Sequence, residues 1–147
     1  MQNIIPFHED YLSSIMEIFD SNVPRYFDPT ERSQFEEFFA SFYGGEYFIY
    51  NEDDTIYGAG GFCMQNPGEA RIVWVVVDEQ NHGKGIGRAL MQHLEKVIRE
   101  KGMYQKISLK TSQLTDVFYK KLGYTTLFTE KDHWGEGLDL VYMEMEL

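Results

Sequence analysis

The sequence has one cysteine, Cys63, and so can form no internal disulfide. A lone thiol suits a reducing compartment, and a cytoplasmic location is the expectation. Proline is sparse, with four among 147 residues, and there is no linker-like, repetitive or low-complexity tract. One domain spanning residues 1–147 is therefore expected. Long hydrophobic runs are also missing. The longest, Ile72 to Val77, has the length of a buried strand and falls far short of the roughly 18 apolar residues of a membrane span. Met1 to Pro6 has no basic stretch leading into an apolar one, so it does not read as a secretion signal.

Positive charge is scarce as well. Thirteen Lys/Arg stand against 24 Asp/Glu, a net charge of −11. That sign excludes general nucleic-acid binding, which needs a basic surface. The scarcity is uneven. Residues 1–79 carry three basic and fifteen acidic side chains, residues 80–121 nine and three, and residues 122–147 one and six. An acidic chain with one basic segment points to a local site for an anion, although helices with exposed lysines give the same count.

What the chain does have is apolar and aromatic surface, 43% and 16% of residues, enough to fill a core and line a pocket. Gln2 to Phe7 reads as a short strand. Asp10 to Ser21 places Leu12, Ile15, Met16 and Phe19 at helical spacing. After Pro24 and Pro29, Asp28 or Thr30 can cap a helix running to about Tyr43, with Phe35, Phe38, Phe39 and Phe42 on one side and Gly44-Gly45 ending it. Glu46 to Tyr50 and Thr55 to Met64 form a hairpin around a polar turn, and Glu69 to Val77 is a third strand, apolar enough to be central. Ile86, Leu90, Leu94, Val97 and Ile98 make one helical face ending at Gly102. Lys106 to Lys110 is a strand and Leu114 to Leu122 a short helix. Tyr124 to Thr129 and Leu138 to Met145 are two last strands, joined by a turn containing Gly135 and Gly137. The order β-α-α-β-β-β-α-β-α-β-β implies an α/β (α+β) fold with a mixed sheet and helices on both faces.

Between the central strand and the amphipathic helix lies His82-Gly83-Lys84-Gly85-Ile86-Gly87-Arg88. Glycines let backbone amides approach a ligand closely, and the first turn of a helix offers unpaired N–H groups and the positive end of its dipole. Together they suit phosphate. Lys84 and Arg88 oppose the dipole of an empty helix, so a bound anion explains them better than helix stability does. The phosphate-loop motif is absent, and the spacing Gly-x-Gly-x-Gly after a hairpin-fed strand is not the Rossmann fingerprint.

With these residues in place, the sequence resembles the GNAT N-acetyltransferase superfamily, whose signature is Gln/Arg-x-x-Gly-x-Gly/Ala after a strand and opening a helix. A second family feature follows at the right distance, Phe118-Tyr119-Lys120-Lys121-Leu122-Gly123-Tyr124. The resemblance covers essentially the whole chain. It implies a mostly antiparallel sheet of about seven strands, splayed between the fourth and fifth. It also implies an acetyl-CoA-dependent N-acetyltransferase, without metal, that acts on a primary amine of a small molecule or peptide by direct attack in a ternary complex. Val75, Val77, His82, Gly83, Lys84, Gly85, Ile86, Gly87, Arg88, Ser112 and Tyr119 are the implied cofactor-binding residues. The Val77 amide is the implied oxyanion donor and Tyr119 the acid that protonates the departing thiolate. The sequence departs from the pattern at His82, where Gln or Arg is usual, at Ser112 (often Asn) and at Thr115 (often Ala). Arg71 stands where histone-type relatives carry a basic Glu.

The general base is open among Glu79, His133, Glu136, Tyr26 and a water chain; His133 has the most suitable ordinary pKa. Tyr26, Phe27 and Trp134 are the expected acceptor wall, while Phe35 and Phe39 at i, i+4 suit core packing. The acidic ends of the chain favour an acceptor that is cationic before it loses a proton. Cys63 reads as a small buried hydrophobe. A homodimer is compatible with the resemblance; nucleic acid and membrane are not expected partners. The rival readings are a non-catalytic acyl-CoA sensor, which the residues at 71 and 82 would suit, and a nucleotide-binding protein of Rossmann type.

Overall fold

The structure, a computed structural model, describes residues 3–40 and 45–147. Strand β1 (Ile4–Pro6) leads through a 3-10 turn at Glu9–Tyr11 into helices α1 (Leu12–Ser21) and α2 (Glu31–Ala40). Strands β2 (Gly45–Glu52), β3 (Thr55–Asn66) and β4 (Glu69–Val77) form a meander. They are followed by α3 (Ile86–Lys101), β5 (Lys106–Thr111), α4 (Asp116–Lys121), β6 (Thr125–Gly135) and β7 (Leu138–Glu146). All seven strands make one sheet in the order β1-β2-β3-β4-β5-β7-β6. Every pairing is antiparallel except β4 with β5. This is the expected mixed, mostly antiparallel sheet with helices on both faces. The expected ends at Gln2, Phe42, Tyr43 and Gly44 lie outside the described residues.

The two faces of the sheet bury two separate clusters. On one side the stripe Met91, Leu94 and Ile98 of α3 packs on Phe62, Ile72, Ile107, Leu109 and Met143. On the other, Ile15, Ile18 and Phe19 of α1 and Phe35 of α2 pack on Tyr47, Ile49, Ala59 and Val76. Along β4, Ala70, Ile72 and Val75 join the first cluster and Trp74 and Val76 the second, which is why β4 reads as apolar on both faces.

Two boundaries differ from those the sequence suggests. Strand β6 runs to Gly135 instead of Thr129, because it continues past a register shift between Glu130 and Gly135 in which Asp132 takes φ 55°. Helix α4 starts at Asp116, two residues after Leu114. Residues 112–115 instead form a turn, with the Leu114 N–H donating to Ser112 Oγ at 3.2 Å and the Asp116 N–H to the Ser112 carbonyl at 3.0 Å.

Candidate functional site

The parallel pairing of β4 and β5 covers only Glu69–Arg71 against Lys106–Ser108. Beyond Arg71 the strands part, and the gap holds a cavity of about 670 Å³. A bulge in β4 shapes it. The register with β3 jumps from Gly61↔Val73 to Ala59↔Val76, and Trp74 takes φ 45°, with its carbonyl held by Tyr47 Oη at 2.7 Å. The Asp78 N–H donates to the Tyr57 carbonyl at 2.8 Å. In an antiparallel ladder the neighbouring residue faces the other way, so the N–H and C=O of Val77 point into the gap. The carbonyl is already bonded: Asn22 Nδ2 donates to it at 2.9 Å, and His82 Nε2 lies 2.9 Å from it. The N–H faces the gap. Val75, two residues back, lines the same wall.

The glycine turn closes one end of the gap. Gly83 and Gly85 take φ 79° and 84°, a region that other residues enter only with strain. Gly85 caps α3 without a side-chain hydrogen bond, and the Ala89 N–H donates to the Gly85 carbonyl at 3.0 Å to open the helix. The amides of Ile86, Gly87 and Arg88 therefore precede the helical ladder, as the opening turn of any helix requires. Gly87 serves packing: a Cβ there would lie 3.3 Å from Phe118 Cζ, so α3 and α4 approach closely. Gly83, Gly85, Ile86, Gly87 and Arg88 line the cavity, whereas Lys84 does not; its Nζ donates to Asn81 Oδ1 at 3.1 Å. His82 also lines it, and its bond to Val77 ties the end of β4 to the turn while its ring meets Tyr26 edge-on at 4.8 Å. That bond requires the proton on Nε2.

Tyr119 of α4 lines the opposite wall and is 9% exposed. Burial pushes its phenol pKa well above the usual range, so it stays protonated. Its hydroxyl has no hydrogen-bond partner among the described residues, and its ring is fixed edge-on between Phe118 and Tyr124. Ser112 and Thr115 line the cavity near the end of β5, where the Thr115 and Thr111 hydroxyls are 2.5 Å apart.

Tyr26, Phe27 and Trp134 also line the cavity. Phe27 stacks on Phe19 at 4.9 Å, and Trp134 Nε1 donates to the Thr111 carbonyl at 3.0 Å, so both rings are held by the fold. Phe35 is fully buried in the core and Phe39 packs against it. Arg71 forms the floor where the strands still pair. Its Nε donates to Ser108 Oγ at 2.8 Å, Ser108 Oγ donates to Glu69 Oε2 at 2.6 Å, and its guanidinium lies over the Tyr142 ring at 5.4 Å. The Ser108 bond is the main influence holding the Glu69 carboxyl below its ordinary pKa.

His133 is not among the lining residues. It is exposed, with Nδ1 2.9 Å from Glu130 Oε2 and its ring against Trp134. Glu79 and Glu136 lie outside the lining too. Asn22, Trp74 and Glu31 are among the lining residues that had no sequence signal as site residues. Glu31 is the only carboxylate in the lining, 4% exposed, and its Oε2 accepts the Asp28 N–H at 2.9 Å. Burial raises its pKa to about 7, against the lowering influence of that hydrogen bond. Among the described residues no group of three or more His, Cys, Asp or Glu side chains is placed to hold a metal ion.

The site is thus a sheet parted at its centre, with a glycine turn opening a helix on one side and a buried tyrosine on the other. The model of the Acetyltransferase (GNAT) family matches residues 12–124, and the chain belongs to that family. Over 50 residues, 34% of its length, it is 44% identical to the glucosamine 6-phosphate N-acetyltransferase of Trypanosoma brucei brucei. That match spans about a third of the relative, 33% of its length. The ribosomal-protein-S18-alanine N-acetyltransferase from Escherichia coli superposes with a TM-score of 0.81 at 16% identity, over 99% of this chain and 94% of that one. An aminoglycoside 6′-N-acetyltransferase complexed with coenzyme A gives a TM-score of 0.79 at 16% identity, over 99% and 97%. At these identities the structural likeness is one of fold.

Proposed function

We propose that this chain transfers the acetyl group of acetyl-CoA to a primary amine of a small molecule or peptide, by direct attack while both substrates are bound. The observation that carries the reading is the composition of one cavity. It joins the free first turn of α3, the inward N–H of Val77 and the unpartnered hydroxyl of a protonated Tyr119. The residues fit the coenzyme: positive-φ glycines leave the α3 amides bare for a pyrophosphate, Arg88 adds charge beside them, and the parted strands leave edge groups for an extended pantetheine arm. When bound, the coenzyme supplies the activated acetyl thioester.

In this scheme the Val77 N–H donates to the carbonyl oxygen as negative charge develops there. Tyr119 Oη donates a proton to the departing sulfur. Tyr26, Phe27 and Trp134 hold the acceptor in the gap and exclude water. A net charge of −11 draws cationic amines toward the molecule over longer range.

The test is an acetyl-CoA turnover screen across amine classes with Tyr119→Phe as control. The expected result is transfer to at least one amine class, with kcat lowered about 100-fold or more in the variant. A variant with full kcat at saturating substrate would remove Tyr119 from the role of acid.

A further inference from the structure

The acceptor nitrogen reaches neutral pH as an ammonium ion, and some group must remove a proton before its lone pair can attack. The cavity offers few bases. Its titratable side chains are Glu31 on α2, Tyr26 before that helix, Arg71 on β4, His82 and Arg88 at the glycine turn, Lys110 on β5 and Tyr119 on α4. Arg71, Arg88 and Lys110 are cationic and cannot serve. Tyr119 is held protonated by burial. His82 is held by its Nε2 bond to the Val77 carbonyl beside the glycine turn, which leaves Nδ1 as its only basic nitrogen.

We propose that Glu31 is the general base that takes the proton from the acceptor ammonium. The assignment rests on the acetyl-transfer reading above. Glu31 lines the cavity together with Tyr26 and Phe27, and among the described residues it is the only acidic side chain in the lining. The sequence Asp28-Pro29-Thr30-Glu31 has the form of a helix capping box, and the bond from the Asp28 N–H to Oε2 fits that role. The cap uses one carboxylate oxygen. Oε1 has no hydrogen bond among the described residues, and the side chain is 4% exposed where a capping glutamate ordinarily faces water.

Burial supplies the basicity. Desolvation brings the carboxyl to about 7, with the nearby Asp28 charge raising it further and the Asp28 N–H bond lowering it. A base with that pKa is part ionised at neutral pH and is a better proton acceptor than an ordinary glutamate. An ammonium docked beside it is also its natural counter-ion, which gives the slot a reason to select cationic amines.

The protons balance as follows. The ammonium gives one proton to Glu31. The freed lone pair forms the N–C bond, the C–S bond breaks with its electron pair on sulfur, and Tyr119 protonates the thiolate. The second nitrogen proton replaces the one Tyr119 gave up, and the proton on Glu31 leaves to solvent, one per turnover.

The experiment compares wild type and Glu31→Gln with an acetyl-accepting amine from the screen, measuring kcat/KM from pH 5.5 to 9.5 alongside the affinity for CoA. Glutamine keeps an oxygen for the Asp28 N–H, so the cap survives; unchanged CoA affinity and an unchanged circular dichroism spectrum verify the fold. The expected wild-type profile rises through a pKa near 7. The expected variant loses that limb and about 100-fold in kcat/KM at neutral pH, and the deficit narrows toward pH 9.5, where free amine accumulates. A purely structural role would not produce that closing difference. Wild-type turnover with a Glu31→Gln profile of the same shape, within threefold, would overturn the assignment alone. Absence of wild-type turnover with every amine would overturn the transferase reading and the assignment with it.

Discussion

Replacing Glu31 by glutamine should also remove a pH-dependent loss of stability, and this is measurable without any substrate. The fold raises the carboxyl from 4.5 to about 7 because its ionised form is desolvated. A group that binds its proton more tightly when folded contributes its full stability below the unfolded pKa. It loses that contribution as pH rises through the folded one. The window is therefore from about pH 4.5 to just above 7. At about 1.4 kcal/mol per unit, the shift amounts to about 3 kcal/mol. For a domain of this size each kcal/mol moves Tm by roughly 2–4 °C. The assay is urea unfolding of both proteins at several pH values between 4.5 and 8.5, followed by tryptophan fluorescence. Trp74 and Trp134 sit in the cavity walls, which makes the signal local to the site. The stability of wild type relative to the variant should fall by about 3 kcal/mol across the window and then level off. A difference constant to within about 0.5 kcal/mol would refute the burial argument for Glu31, because linkage leaves no other way for a raised pKa to act.

Phe35 is fully buried and its ring contacts Phe19, Phe39 and Trp74, so Phe35→Ala should cost about 3–5 kcal/mol in urea unfolding. A loss below about 1 kcal/mol would mean that α2 is not anchored on the sheet as described. Gly85→Ala places a Cβ at φ 84°, where there is open space but backbone strain, and should cost about 1–2 kcal/mol of stability. Calorimetric titration should show weaker CoA binding by the same variant, since the α3 amides are aimed by that turn; unchanged affinity would separate the turn from the coenzyme.

Much of this fold is legible in the sequence because its periods are clean. The α3 stripe Leu90, Leu94 and Ile98 is uninterrupted, and the glycine turn precedes it directly. The cavity end nearest that turn is readable for the same reason: positive-φ glycines and a helix start are local features. The acceptor end is not local. Trp74 lies inside an apolar run, and nothing in its neighbours marks the bulge that gives a non-glycine residue φ 45°. Glu31 carries no mark of its own in the sequence, and it becomes a buried cavity residue only when α2 packs on the sheet, with Phe35 of the same helix against Trp74. His133 shows the converse. Its ordinary pKa suits a base, but the lengthened β6 carries it onto the exposed side of the hairpin, paired with Glu130. His82 departs from the family pattern, and its bond to the Val77 carbonyl gives that residue a structural task at the end of β4.

The central claim, direct transfer of acetyl from coenzyme to amine within this cavity, is tested most directly by initial rates with both substrates varied. Mass measurement of the protein after exposure to acetyl-CoA alone completes the test. The account expects intersecting double-reciprocal lines, one CoA released per amine acetylated, and no acetylated protein. Parallel lines with an acetyl group retained on the chain would contradict it.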